Sequence, residues 1–370
     1  MNISALIRPN VRRLRPYEAY TRGLVAPISR GIVAPCGVAV PPRGIVAPCR
    51  VKLDANESPY SLPVPAEVLR KIPTNRYPDP EATALKKALS KQFGAPASCI
   101  LIGNGSDELI YYLITVFGGP VLYPTPTFSM YGIIAKALGQ ETIEIPLDGR
   151  FDLDIKKMLP LVKGKKGSVT LTFLSSPNNP TGNCFSAEGI LKIIESSRGI
   201  VVLDEAYQPF SSQRGFLPLL KDYKNLLILR TLSKIGLAGL RVGFLIGDEA
   251  LIREVNKVRL PFNVNSFSQA IAVATLKEKV RLRSYIKAIV TERERLYKEL
   301  KKNKGVAPYP SEANFILFKV KHSDKVYIGL LKKGVLVRNM KGLIDPYLRV
   351  TVGTKRENDI FLKALKEVSI

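Results

Sequence analysis

Residues 231–241 read TLSKIGLAGLR, and Lys234 is the most informative side chain in this segment. Upstream of it, residues 200–207 read IVVLDEAY, an apolar run that ends at Asp204. A lysine beside a fixed positive charge, here Arg241, loses its proton more easily and can then attack a carbonyl carbon. An aspartate at the end of a core strand can hold a positive charge in a dry site. The two segments therefore predict a site in which a nucleophilic lysine works with a buried acid.

The composition is that of a globular chain with a large excess of positive charge. The chain has 370 residues, of which 46% are hydrophobic. This length allows about two or three domains with ample core. Lys and Arg outnumber Asp and Glu by 56 to 31, which gives a formal net charge of +25. A field of this sign attracts nucleic acid or small anionic substrates. The basic residues are spread along the chain without a zinc-finger or RNP pattern, so we favour an anionic substrate and expect no nucleic acid partner.

The cysteines and the single histidine narrow the possible classes of site. The cysteines are Cys36, Cys49, Cys99 and Cys184, and no two of them form a CxxC pair. Because His322 is the only histidine, we expect no zinc site, and a Ser-His-Asp or Cys-His hydrolase would depend on this residue alone. No apolar run of about 18 residues lacks a breaker, so we expect no membrane span. Reduced thiols in a cytoplasmic protein are the expected state.

The first fifty residues differ from the rest of the chain. They hold eight arginines, no lysine and a single acid, Glu18. They also contain a repeat, RGLVAP at 22–27 and RGIVAPC at both 30–36 and 43–49. The unit is too short and too rich in Pro and Gly for a solenoid, so residues 1–50 are predicted to form an arm with an inserted irregular loop. An organelle transit peptide stays an alternative, since such segments are rich in Arg and poor in acids.

Strand-like and helical patterns alternate from residue 51 onward. Strands are predicted at residues 100–102, 121–123, 142–145, 169–174, 200–203, 226–229 and 242–246. Helices are predicted between many of them, around residues 81–93, 106–117, 128–138 and 186–197. This alternation indicates an α/β fold with a mostly parallel sheet covered on both faces. In such sheets ligands bind at the carboxyl ends of the strands.

The C-terminal part of the chain follows another pattern. Residues 249–303 have a helical pattern, and strand-like segments then alternate with helices near 325–333 and from about 355. The strand-like segments are residues 315–318, 335–337 and 348–352. We therefore predict a large domain at residues 51–275 and a smaller α+β domain at residues 276–370, which also includes part of the N-terminal segment.

Two turns that follow predicted strands carry polar side chains. In GNGSDE, residues 103–108, a helix begins at Ser106 and Asp107, and a helix N-terminus with nearby glycines can bind an anion. A plain helix cap by either residue explains this segment equally well. In SPNNPTG, residues 176–182, a tight turn explains the composition, while the functional interpretation uses Asn179 as a hydrogen-bond partner for a phenolic oxygen.

Pyridoxal phosphate (PLP) is a cofactor whose chemistry uses a lysine and an acid together. It needs the lysine for covalent attachment, and it needs the acid to keep the ring nitrogen protonated. Lys234 and Asp204 meet these needs, and Lys234 would also move a proton to and from the substrate Cα. Thr231, Ser233 and Arg241 are donors suited to a phosphate group.

Two aromatic residues complete this hypothesis. Tyr207 lies three residues after Asp204 and would donate to the same phenolic oxygen as Asn179. Phe128, in residues 124–131, either packs in the core or stacks on the cofactor ring.

These five segments occur in chain order, each after a predicted strand, and together they closely resemble the fold-type I PLP-dependent aminotransferases. Further segments are similar to the histidinol-phosphate aminotransferase branch of that family. They are RPY at 15–17, VKLDANESPY at 51–60, NRYPDP at 75–80, SEANF at 311–315, GVLVR at 334–338 and LRVTVGT at 348–354. The resemblance covers nearly the whole chain except residues 21–49.

The resemblance implies a role for each candidate residue. Lys234 is expected to hold PLP, and Tyr77 is expected to reach the site of a neighbouring subunit, which implies a homodimer with shared active sites. The cofactor-binding residues implied are Ser106, Asp107, Phe128, Asn179, Asp204, Tyr207, Thr231, Ser233, Lys234 and Arg241. The substrate-binding residues implied are Tyr17, Asn56, Tyr77, Asn179, Arg338 and Arg349. Two points stay open: Arg338 and Arg349 could be ordinary surface charges, and the inserted loop could displace Tyr17.

The activity implied is the interconversion of L-histidinol phosphate plus 2-oxoglutarate with imidazole acetol phosphate plus L-glutamate, in histidine biosynthesis. One arginine pair would bind the phosphate of one substrate and the carboxylate of the other in turn. An aromatic-amino-acid aminotransferase or a threonine-phosphate decarboxylase would share Lys234 and Asp204, so both stay alternatives. A basic nucleic-acid-binding protein that retains the fold without catalysis is the alternative from another class.

Overall fold

The computed structural model describes residues 8–12, 14, 49–164 and 169–368. Tyr17 and the predicted loop, apart from Cys49, lie outside the described residues. The described part of the arm includes helix α1 (Pro9–Arg12), which packs against the C-terminal end of the helix Met130–Ala137.

A seven-stranded sheet forms the centre of the larger layer. Its strands are β2 (Ile100–Asn104), β3 (Val121–Thr125), β4 (Thr142–Pro146), β5 (Leu171–Ser175), β6 (Ile200–Asp204), β7 (Leu226–Thr231) and β8 (Val242–Gly247). The order is β2-β8-β7-β6-β5-β3-β4, and β8 is antiparallel to β2 and β7 while the pairs from β7 to β4 are parallel. The central strands β5 and β6 are almost wholly buried because helices cover both faces of the sheet. The mostly parallel sheet and all seven predicted strands are confirmed.

The helices as far as residue 302 are α2 (Ala66–Arg70), α3 (Thr83–Phe93), α4 (Ser106–Phe117), α5 (Met130–Ala137), α6 (Ile155–Val162), α7 (Ala187–Ser196), α8 (Glu249–Asn256), α9 (Ser266–Lys277) and α10 (Lys279–Lys302). The helices predicted around 81–93, 106–117, 128–138 and 186–197 correspond to α3, α4, α5 and α7, whereas α2 and α6 were not predicted. α10 contacts mainly the second sheet, described below. The predicted helical stretch at 249–303 is broken between α8 and α9. Pro261 lies in this break, and the Asn265 side chain caps α9 by accepting from the Ser268 N–H.

A second, five-stranded sheet contains β1 (Val51–Leu53), β9 (Val306–Pro308), β10 (Phe315–Val320), β11 (Val335–Asn339) and β12 (Tyr347–Thr351). Its order is β1-β11-β12-β10-β9, and helices α11 (Ser323–Lys332) and α12 (Lys355–Val368) pack with it. β1 runs parallel to β11, so the first strand after residue 50 belongs to this smaller sheet. The predicted large domain, which begins at residue 51, therefore contains a strand of the smaller sheet, because local sequence does not specify a strand's distant partner. The domain bounds otherwise stay a prediction.

Within the described ranges, no helix is both long and apolar enough to cross a bilayer. The same part of the chain holds no cluster of three or more His, Cys, Asp or Glu side chains that could bind a metal ion.

Candidate active site

A cavity of about 430 Å³ lies between the carboxyl ends of the parallel strands and the smaller sheet. Asp204 ends β6, Thr231 ends β7 and Ser175 ends β5, because parallel strands present their carboxyl ends along one edge. The sequence-predicted site residues that line this cavity are Asn56, Ser106, Asp107, Phe128, Asn179, Asp204, Tyr207, Thr231, Ser233, Lys234, Arg241, Arg338 and Arg349. Tyr77 is the exception among the described candidates, since it is 80% exposed and does not line the cavity.

Asp204 is a buried acid at the floor of the cavity. Its side chain is 4% exposed, and its Oδ1 accepts a hydrogen bond from the Ala206 N–H at 3.0 Å. Its Oδ2 accepts from the Tyr131 hydroxyl at 2.7 Å. Burial raises the pKa of Asp204 to about 6, because these hydrogen bonds offset only part of the cost of burying the charged form. A cation placed beside Asp204 would therefore be strongly attracted.

Tyr131 is a site-supporting residue that the sequence did not reveal. It is fully buried in α5, and its ring stacks on Phe173 with centroids 4.7 Å apart. Burial and the neighbouring Asp204 raise the pKa of Tyr131 well above its usual value, so it stays a hydrogen-bond donor. The only sequence signal was its place three residues after Phe128, and that spacing is equally typical of core packing.

Lys234 lies in a 3-10 turn, Ser233–Ile235, directly after β7. Its Nζ is 5.7 Å from the centre of the Tyr207 ring, which in turn packs edge-on against Phe315. The turn ends at Gly236, where φ is +102° and a Cβ would lie 2.7 Å from the Tyr60 carbonyl oxygen. Only glycine fits this turn without strain, and the turn holds Lys234 at the cavity.

Donors for an anion gather where α4 begins. Gly105 is the N-cap residue, and no side chain caps this helix. A Cβ on Gly105 would lie 2.4 Å from Arg241 Nη2, so the guanidinium rests directly against the loop before the helix. Asp107 pairs with Arg241 at 3.1 Å instead of capping the helix. The unpaired N–H groups and dipole of a helix N-terminus, together with Arg241, make this end of the cavity suited to a phosphate.

The hydroxyls of Thr231 and Ser233 belong to the same end of the cavity. Both residues are buried, and the Thr231 hydroxyl lies 2.9 Å from that of Ser233. Thr231 Oγ1 also accepts from the Ser233 N–H at 3.1 Å, which fixes the shape of the turn.

Two arginines of the smaller sheet line the opposite wall. Arg338 on β11 and Arg349 on β12 are direct cross-strand partners. Arg349 donates to the Asp54 carbonyl oxygen at 2.8 Å and to Asn179 Oδ1, and its guanidinium lies 5.1 Å from the centre of the Phe315 ring. Because Arg349 holds the oxygen of the Asn179 amide, the amide NH₂ is left to donate elsewhere. The open alternative of an ordinary surface charge does not apply to Arg349, which is buried.

The lining residues fit a flat heterocycle that carries a phosphate and a protonated ring nitrogen. Arg241 and the start of α4 suit the phosphate, and the buried carboxylate of Asp204 suits the nitrogen. Phe128 lies in the lining with its ring edge-on to Tyr131, and Lys234 lies within the same cavity.

Comparison with known proteins agrees with this geometry. The family model "Aminotransferase class I and II" matches residues 50–365. Histidinol-phosphate aminotransferase from Aquifex aeolicus is 46% identical over 331 residues, which covers 86% of this chain and 92% of that protein. The enzyme of the same name from Pyrococcus furiosus is 42% identical over 325 residues and covers 86% and 92%. The chain therefore belongs to the aminotransferase class I and II family, and within it to the histidinol-phosphate aminotransferases.

Solved structures show the same fold. Histidinol-phosphate aminotransferase from Clostridium acetobutylicum superposes with a TM-score of 0.78 at 26% identity, covering 86% of this chain and 99% of that one. The enzyme from Sinorhizobium meliloti, solved in complex with pyridoxal-5'-phosphate, gives a TM-score of 0.77 at 25% identity, with 86% and 91% covered. The fold-type I prediction is thereby confirmed.

Proposed function

We propose that this chain transfers an amino group between L-histidinol phosphate and 2-oxoglutarate, giving imidazole acetol phosphate and L-glutamate. The observation that carries the proposal is the cross-strand pair Arg338 and Arg349, which lines the same cavity as Lys234 and Asp204. One substrate has a phosphate and the other has a second carboxylate. An arginine pair suits both anions, since guanidinium groups bind either one bidentately.

Pyridoxal 5'-phosphate is the cofactor, and when bound it supplies an electron-accepting ring that stabilises negative charge at the substrate Cα. Lys234 would hold the cofactor covalently, and its amine, once freed, would move a proton between the substrate Cα and the cofactor carbon C4′. Asp204 keeps the ring nitrogen protonated, and its burial strengthens that ion pair. Tyr207 and Asn179 donate to the phenolic oxygen, and Phe128 packs on the ring.

The phosphate of the cofactor is bound by Arg241, by the hydroxyls of Thr231 and Ser233, and by the backbone at Ser106 and Asp107. Thr231 ends β7, Arg241 directly precedes β8, and α4 follows β2; these groups meet because β8 lies between β2 and β7 and runs antiparallel to both. The excess positive charge of the chain would draw anionic substrates toward the cavity and raise the rate of association.

A homodimer is the proposed assembly, with Tyr77 reaching into the neighbouring subunit's cavity. Its exposed ring stacks on Phe262 with centroids 4.5 Å apart, and Leu260 close by in sequence is also exposed. Asn104, two residues before α4, donates to the Asn263 carbonyl oxygen at 3.1 Å, which joins the segment of Phe262 to the strand end that precedes α4. Contiguous exposed apolar groups mark interaction surfaces.

The proposed location is the cytoplasm. In the described part of the chain Cys49, Cys99 and Cys184 are all unbridged thiols, which suits a reducing compartment.

The test is the absorbance spectrum of the purified enzyme with PLP, before and after L-histidinol phosphate is added alone. We expect loss of the yellow band and growth of the band of the aminated cofactor, because the first half-reaction needs no second substrate. Lys234→Ala is the matched control and should not complete this conversion. A yellow protein that ignores histidinol phosphate would contradict the substrate assignment, and the aromatic or decarboxylase alternatives would then be tested. A protein that takes up no PLP would contradict the enzyme assignment.

A further inference from the structure

Asn56 lies between the two sheets, and all four of its hydrogen-bonding groups are engaged. It is 2% exposed, its N–H donates to Thr351 Oγ1 at 2.9 Å, and its carbonyl oxygen accepts from Asn314 Nδ2 at 3.0 Å. Its side-chain Nδ2 donates to the Tyr207 hydroxyl oxygen at 2.9 Å, and its Oδ1 accepts from Thr351 Oγ1 at 3.3 Å. The side-chain amide is thereby committed to Thr351 and Tyr207, which leaves only the second hydrogen of Nδ2 for a ligand.

The backbone of Asn56 is held in an uncommon conformation. Its φ is +54°, in the left-handed region where asparagine and aspartate are the best tolerated residues after glycine. Such a conformation persists only where the surroundings fix it. Thr351 ends β12 and Asn314 directly precedes β10, so both buried residues belong to the smaller sheet, whereas Tyr207 follows β6 of the larger sheet. Asn56 therefore connects the two sheets at the cavity.

The Thr351 hydroxyl bridges the backbone and the side chain of Asn56. Its oxygen accepts from the Asn56 N–H, and its hydrogen is donated to Asn56 Oδ1. The amide is thereby oriented with its NH₂ group toward Tyr207. The Tyr207 oxygen then acts as the acceptor in this contact, and its hydrogen is kept for another partner. If the Asn56 amide were flipped, its oxygen would face Tyr207 and would accept the hydroxyl hydrogen.

The charged groups near Tyr207 come from three elements. Lys234 Nζ is 5.7 Å from the centre of the Tyr207 ring. The Arg349 guanidinium lies 5.1 Å from the centre of the Phe315 ring, against which Tyr207 packs edge-on. Asp204, three residues upstream, already accepts from Tyr131 and from the Ala206 N–H. Tyr207 also lines the cavity, so its hydroxyl hydrogen can be donated to a group bound there.

We propose that Asn56 is a positioning residue that keeps the Tyr207 hydroxyl as a donor toward the phenolic oxygen of the cofactor, rather than a substrate-binding group. The inference rests on the function proposed above, since it needs PLP in the cavity. A donor stabilises negative charge on the phenolic oxygen, so that oxygen competes less for the proton it shares with the nitrogen that joins the cofactor to Lys234. Loss of the donor should raise the pH at which the yellow band changes.

The first experiment is a spectroscopic pH titration of PLP-loaded Asn56→Asp. The new side chain keeps the size and tolerates the same φ, but its carboxylate only accepts, so the Tyr207 hydrogen turns toward it. We expect the pH midpoint of the visible band to rise by about one unit, a tenfold change in proton affinity. Tyr207→Phe should give a similar rise.

The double variant separates proton orientation from simple charge. With Tyr207→Phe already present, Asn56→Asp should add almost nothing, because there is no hydroxyl left to turn. A rise that comes only from the added negative charge would persist in full in the double variant, and that result would overturn the inference.

Thr351 offers a charge-neutral test of the same network. Thr351→Val keeps the shape but removes the hydroxyl that orients the amide, so the midpoint should rise, whereas Thr351→Ser should restore the wild-type midpoint. The melting temperature of each cofactor-free variant is measured in parallel. A lower melting temperature and lower kcat with unmoved midpoints would mean that Asn56 has a structural role only, and the inference would be wrong.

The two proposals fail in different ways. If the wild-type enzyme converts histidinol phosphate while Asn56→Asp has the wild-type midpoint, the inference on Asn56 fails and the proposed function stands. If the wild-type protein takes up no PLP, the proposed function fails and the inference with it.

Discussion

Asp204 should destabilise the protein when the cofactor is removed. Its pKa is raised to about 6 by burial, against 3.8 for an ordinary aspartate, because the fold shields the carboxyl group from water. A carboxyl group whose pKa is raised on folding leaves stability intact below its unfolded pKa and reduces it as the pH rises through the folded pKa. By linkage, the ionised group costs about 3 kcal/mol at pH 8 but only about 1 kcal/mol at pH 4.5.

Asp204→Asn removes this cost because the amide is neutral at every pH. The gain is reduced by about 1 kcal/mol at either pH, since the amide has one acceptor oxygen where the carboxyl group accepts from both Tyr131 and the Ala206 N–H. We therefore expect the cofactor-free variant to be about 2 kcal/mol more stable than wild type at pH 8 and nearly equal to it at pH 4.5. The variant should lose transaminase activity, because an amide cannot keep the ring nitrogen protonated.

The assay is urea unfolding of both cofactor-free proteins at one protein concentration, at pH 4.5 and pH 8, followed by circular dichroism. Added PLP should stabilise wild type more than the variant, since the cation on the ring offsets the buried charge only where Asp204 is present. Equal stabilities at pH 8, or a difference that is the same at both pH values, would refute the reasoning.

Lys234→Ala should lower turnover by about a thousandfold or more, through loss of the proton-transfer group, while the melting temperature of the cofactor-free protein changes little; single-turnover kinetics and a thermal scan measure the two. Glu205→Gln should lower the free energy of unfolding by about 3 kcal/mol, because the fully buried Glu205 pairs with Arg230 and loss of its charge leaves this half-buried cation without its partner; urea unfolding with unchanged m-value measures this. Gly105→Ala should weaken PLP binding by about tenfold or more, because the new Cβ would meet Arg241 Nη2; fluorescence titration measures it, and a wild-type dissociation constant would contradict the phosphate site. Gly94→Ala is its control, since Gly94 also has a positive φ, of +70°, but open space around it.

Much of the candidate site could be predicted because it follows strand ends. Asp204, Thr231 and the loop at 103–108 each come directly after an apolar run, and parallel strands bring such ends to one edge. Many of the side chains that line the cavity can therefore be predicted from local sequence patterns, together with the chemistry that requires both a lysine and an acid.

The supporting residues could not be predicted in the same way. Tyr131 lies at a helical spacing that is typical of core packing, and only the fold brings its hydroxyl to Asp204. Asn56 was expected to bind substrate, yet its side chain is engaged with Tyr207 and Thr351, which lie 151 and 295 residues away in sequence.

Local periodicity and the residues around Lys234 and Asp204 were sufficient to specify an α/β fold, its strands and the class of chemistry. These features depend on neighbours in sequence, since burial patterns, glycine turns and helix starts are local properties. The pairing of β1 with β11, the placement of Arg338 beside Arg349 and the network around Asn56 came only with the tertiary structure. Each depends on the register between distant strands, and many registers bury similar apolar area, so the chain must be folded before these contacts can be assigned.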